Sequence, residues 1–93
     1  MAVVFFIPGF LRQWTDGKSR VELDGRPATV GDALTLLWER HPGVRDRIVT
    51  EQGNVRPHVN VFVGVESIRF TGGLATPLAG DCEVSIVPAV SGG

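Results

Sequence analysis

Few side chains in this 93-residue chain are placed to make or break covalent bonds. His41 abuts the Pro42-Gly43 pair that must stop a helix, and His58 has no Cys or His partner at metal-ligand spacing. The single cysteine, Cys82, sits between Asp81 and Glu83. A nucleophilic thiolate needs an electropositive neighbourhood, so Cys82 reads as a small packed residue. Gly72-Gly73 lacks the Lys and Ser/Thr of a phosphate loop and reads as a bend. By elimination, the chemistry falls to the end of the chain, Val87-Pro88-Ala89-Val90-Ser91-Gly92-Gly93. No charged side chain occurs from Val84 onward, whereas a free tail is usually polar or charged. The Pro88 ring stiffens the start of the segment, and two bare glycines let another backbone approach closely. Such an end suits an extended groove in another protein, with the Gly93 carboxylate as its reactive group.

That carboxylate is ionised at neutral pH, its reference pKa being ~3.3–3.7. It can attack the α-phosphorus of ATP, expelling pyrophosphate and leaving an acyl-adenylate. The step needs an active site on another protein, with a metal or cationic groups to offset phosphate charge. A sulfur nucleophile can then displace AMP and leave a thiocarboxylate, a soft, ionised donor.

The rest of the chain must hold this end in place. Val3 to Ile7 is β-branched and aromatic, stops at Pro8-Gly9, and predicts a strand inside a sheet because both its faces are apolar. A loop over Phe10 to Lys18, bent at Asp16-Gly17, leads to the alternating strand Arg20–Asp24, an antiparallel partner. Trp14, within that loop, reads as a surface residue. Thr29 is the N-cap of a helix, with Asp32 reaching back to it, and Val30, Ala33, Leu34, Leu37 and Trp38 form one apolar stripe. Residues 44–58 read as a helical turn and a loop. Val59–Val63 is a strand, Gly64–Ser67 a turn, Ile68-Arg69-Phe70 a brief extended piece and Thr71-Gly72-Gly73 a bend. The last strand, Cys82–Val87, turns Val84 and Ile86 to one face and runs straight into the tail.

Composition bounds the function classes. The chain is one domain, 43% hydrophobic and 20% charged, with nine basic and ten acidic residues giving a net charge of −1. The basic residues are scattered, so no nucleic-acid partner is expected. The apolar opening is far shorter than the ~20 residues of a membrane span, and it has neither a basic flank nor a cleavage site. No membrane association is expected, and one cysteine fits the reducing cytoplasm.

The order hairpin, helix, strand, short strand, strand, closed by Gly-Gly, resembles the ubiquitin-like β-grasp sulfur carriers of the ThiS/MoaD superfamily. It is most similar to CysO-type carriers at Arg69-Phe70-Thr71-Gly72-Gly73-Leu74-Ala75-Thr76 and Val87–Gly93, with an echo at Val59-Asn60-Val61-Phe62-Val63. It departs at Asp81-Cys82, where Gly-Asp is expected, at Gly64, where a polar turn residue is common, and at Ser91, where Ala is common. The resemblance implies an α+β fold: a β-grasp domain over 1–87, its mixed sheet of four or five strands cradling one main helix, and a flexible reactive tail over 88–93. Gly93 would be adenylated and thiocarboxylated, while Pro88, Ala89, Val90, Ser91 and Gly92 would bind partners, with Arg69 and Phe70 as further interface candidates. The carrier itself would hold no cofactor or metal; ATP and magnesium would serve the activating enzyme. The implied partners are a ubiquitin-activating-type adenylyltransferase, often with a rhodanese domain, and a sulfur-accepting synthase. That synthase would be a PLP-dependent cysteine synthase, with a metalloprotease freeing the cysteine, or a natural-product thio-transfer enzyme. Two rival readings stand beside this one. One is a small subunit of molybdopterin synthase; the other is a ubiquitin-like modifier joined to targets through Gly93, for which the single Lys18 nearly excludes branched self-chains.

Overall fold

The structure, a computed structural model, describes residues 2–88. Five strands form one sheet: β1 (Ala2–Phe6), β2 (Arg20–Asp24), β3 (Val59–Val63), β4 (Glu66–Ser67) and β5 (Cys82–Pro88), in the spatial order β2-β1-β5-β3-β4. β1 pairs antiparallel with β2 and parallel with β5; β3 is antiparallel to both β5 and β4. One face of this mixed sheet carries helix α1 (Val30–Arg40). This is the β-grasp arrangement the resemblance implies. None of the described helices is long and apolar enough to cross a membrane.

The period of each element sets its packing. Val3, Phe5, Val21, Leu23, Val59, Val61, Val84 and Ile86 turn to the helix side and are buried. Val30, Ala33, Leu34 and Leu37 meet them from α1. Trp38, expected on the same stripe, packs against this core only half-buried. Thr29 caps the helix, its Oγ1 accepting the Asp32 N–H at 3.2 Å. The side chain of Asp32 makes no return bond among the described residues, so only one half of the expected capping box forms.

Three local expectations are corrected. Gly9–Trp14, read as loop, is a 3₁₀ turn that buries Leu11 completely. Trp14 is half-buried, with the Arg47 guanidinium 4.3 Å from its ring centroid. Tertiary contact thus orders a segment whose sequence has no period of its own. Ile68–Phe70 is also a 3₁₀ turn, not an extended piece, because the Ser67 Oγ accepts the Arg69 N–H and starts a turn there. The short strand β4 falls instead within the stretch read as a turn. As expected, α1 stops before Pro42-Gly43 and residues 44–58 begin with a helical turn, α2 (Arg45–Ile48), entered through a 3₁₀ turn at Pro42–Val44.

Candidate functional site

β5 decides where the end of the chain goes. It is the middle strand, held by β1 on one side and β3 on the other, and Val84 and Ile86 anchor it in the core. Pairing with β1 stops at Phe6↔Ser85. Ile86, Val87 and Pro88 are therefore paired on one side only, to Val61, Asn60 and Val59. The strand leaves the body at an exposed Pro88. Ala89, Val90, Ser91, Gly92 and Gly93, the expected contact and reactive residues, lie outside the described residues. Covalent geometry lets five residues reach at most ~18 Å beyond Pro88.

The side chains near this exit come from several segments. Phe6, on the sheet face away from α1, is 37% exposed, and Phe62 and Val87 on the same face are half-buried. The run Val3 to Ile7 places β1 inside the sheet as expected, yet its second apolar face is left open. Sequence reasoning passed over Phe6 and Phe62 as site residues, although the missing alternation in β1 was a signal for an apolar outer face.

Arg69 and Phe70 sit in a loop tied to the helix. Gly72 and Gly73 have φ of 117° and 62°, the left-handed region that a glycine enters without strain. Their reversal lets the buried Thr76 Oγ1 donate to the Gly73 carbonyl at 2.6 Å and meet the Thr71 hydroxyl at 2.9 Å. The Val30 N–H donates to the Thr76 carbonyl at 3.0 Å, fastening the loop to the start of α1. Phe70 is consequently thrust outward, 88% exposed. Arg69 Nη2 donates to the carbonyls of Pro57 at 3.2 Å and Val59 at 3.4 Å. Since Val59 pairs with Pro88, Arg69 lies beside the exit, and an apolar depression of about 410 Å³ opens between it and Leu74.

The other reactive types stay apart from the exit. Cys82 begins β5, six residues from Pro88 and so about 20 Å away along the strand. Burial pushes its thiol above the usual range, and the Asp81 carboxylate adds to the shift, so it is held as the unreactive thiol. His41 is buried with its Nε2 unpartnered among the described residues, and burial pulls its pKa below the usual value against the opposing pull of Asp16. His58 is exposed just before β3. No group of three or more His, Cys, Asp or Glu able to hold a metal occurs among the described residues.

Comparison with known proteins follows the same lines. The model of the ThiS family matches residues 6–93, which includes the Gly-Gly end. The chain is 37% identical over 95 residues to the sulfur carrier protein CysO of Mycobacterium tuberculosis, covering all of both chains. The crystal structure of the latter superposes with a TM-score of 0.85 over 95% of this chain and 99% of that one. The BexX/CysO complex of Amycolatopsis orientalis contains a chain 38% identical, with a TM-score of 0.87 over 99% of this chain and 100% of that one. Small archaeal modifier protein 1 of Haloferax volcanii is 43% identical over 74 residues, 80% of this chain and 79% of its own. The chain belongs to the ThiS family, the ubiquitin-like sulfur carriers.

Proposed function

We propose that this chain carries sulfur as a thiocarboxylate on Gly93 and donates it to a biosynthetic enzyme, acting as a protein co-substrate and not as a catalyst. The observation that carries this reading is a family match running through Gly92-Gly93, placed after a central strand that ends exposed at Pro88. A Gly93 carboxylate oxygen attacks the α-phosphorus of ATP; the bond to pyrophosphate breaks and an acyl-adenylate forms. Hydrosulfide then attacks the acyl carbon, the bond to AMP breaks, and a thiocarboxylate and a proton result. ATP and magnesium bind the activating enzyme, a ubiquitin-activating-type adenylyltransferase. The uncharged Pro88–Val90 segment gains little from water and supplies the apolar contact in that enzyme's groove. The similarity to CysO favours a PLP-dependent cysteine synthase as the sulfur acceptor, with a metalloprotease releasing the product. The relative crystallised in complex with BexX supports docking of such a carrier on a second protein.

The test is intact-mass analysis after incubation with the adenylating enzyme, ATP, magnesium and sulfide. One sulfur-for-oxygen exchange is expected, abolished by deleting Gly93 and retained in Cys82→Ser. A label that follows Cys82 overturns the proposal. The likeness to an archaeal modifier favours one second reading, attachment to target lysines. Gly93 found in isopeptide linkage, with no thiocarboxylate formed, would establish it.

A further inference from the structure

The basic residues are scattered in sequence but collected by the fold. The paired ends β1/β2 and β3/β4 place Asp24 beside Ala2 and Glu66 beside Val63, and Asp81 accepts the Ala2 N–H at 2.8 Å. That end of the sheet, away from Pro88, therefore gathers Asp24, Glu66, Asp81 and Glu83. The exit end gathers guanidinium groups. A cleft of about 340 Å³ between the first 3₁₀ turn and the segment before β3 is lined by Phe10, Trp14, Asp46, Arg47, Arg56 and His58. Phe10 is 43% exposed, and Arg47 lies over Trp14. Arg56 Nε donates to the Asp46 carbonyl at 2.7 Å, which fixes the guanidinium. The Asp46 carboxylate is engaged by Arg45 at 3.2 Å. Among the described residues neither Arg47 nor Arg56 has a carboxylate partner, and Arg69 lies on the other side of the same Arg56–Val59 segment.

We infer that this cleft is a second docking contact of the carrier, receiving an acidic segment of the adenylating enzyme while the tail enters that enzyme's groove. The inference rests on the carrier reading above. A guanidinium held over an indole keeps N–H groups available to a carboxylate, which it can take through two parallel bonds. Phe10 and Trp14 offer the apolar and aromatic surface that anchors protein interfaces. The cleft stands next to Pro88 through His58 and Val59, so a partner gripping the tail lies against it. Opposed charge at the two ends of the carrier also orients it, exit end first, toward an acidic partner. A nucleic-acid partner fits less well, because the acidic far end repels a long phosphate backbone and the chain is acidic overall.

The experiment measures initial rates of thiocarboxylate formation against carrier concentration, at low and high salt, together with direct binding of carrier to the adenylating enzyme. Arg47→Glu and Arg56→Glu should each raise KM and Kd about tenfold or more and flatten the salt dependence. The rate at saturating carrier should be retained. Arg26→Glu, which makes the same charge change at the far end beside Ala2, should leave both constants within about twofold. Arg47→Gln, which keeps a planar side chain on Trp14 without the charge, should fall between, and circular dichroism checks that each variant is folded. If Arg47→Glu and Arg56→Glu bind and react as wild type does, the cleft is not a docking contact, although the thiocarboxylate reading stands. If wild type forms no thiocarboxylate, that reading fails by itself, and the binding arm still decides the cleft: weaker binding of both variants supports it, unchanged binding overturns it.

Discussion

Ile86 and Val87 are neighbours on β5, yet they should respond very differently to truncation. Ile86 is 1% exposed on the helix side, whereas Val87 is half-buried on the open face. Ile86→Ala deletes the carbons beyond Cβ, a transfer loss of about 2.4 kcal/mol at ~0.8 kcal/mol per buried CH₂. A cavity among Val61, Val84 and α1 adds to this, giving a total of about 3 kcal/mol within the usual 2–5 kcal/mol range. Val87→Ala leaves no enclosed cavity and should cost about 1 kcal/mol or less. In urea, the Ile86 variant should unfold at a midpoint about 1–3 M lower with an unchanged slope. A domain of this size has roughly 5–15 kcal/mol to lose, so the variant should still fold in water and be thiocarboxylated in the cold. Equal costs for the two truncations would refute the assigned register and with it the path by which β5 delivers the tail.

Thr29→Ala removes the acceptor for the Asp32 N–H and should cost about 1 kcal/mol, read as a urea midpoint shift. Buried His41 should make stability depend on pH. Its native pKa is lowered, so below about pH 6.5 the unfolded chain binds a proton that the native chain refuses; stability falls with pH until the native pKa is reached and then levels. Urea midpoints at about pH 7.5 and 5.5 should show this fall, and His41→Gln should flatten it. Val90→Asp places a charge in the apolar segment and should raise KM for activation at least about tenfold without moving the urea midpoint. An unchanged KM would remove the tail from recognition.

What the sequence by itself determined was local and periodic. The stripe Val30, Ala33, Leu34, Leu37 specifies α1, and alternation specifies β2 and the inward faces of β5, because burial on one side leaves a repeat that reads directly. The Gly92-Gly93 end and its uncharged approach are also properties of the chain alone, independent of any contact. Only the tertiary structure decided the rest. The 3₁₀ turn at Gly9–Trp14 exists because Leu11 is buried and Arg47 covers Trp14, contacts across more than thirty positions that leave no period behind. Ile68–Phe70 curls instead of extending because the Ser67 hydroxyl caps it. The central place of β5 follows from its pairing with the first strand of the chain, and adjacency of that range is not written in either strand. Charge behaves the same way: arginines scattered through the sequence are a neutral fact until the fold brings Arg47 and Arg56 to one cleft, ties Arg69 to Val59, the partner of Pro88, and sends Asp24 and Asp81 to the other end beside Ala2.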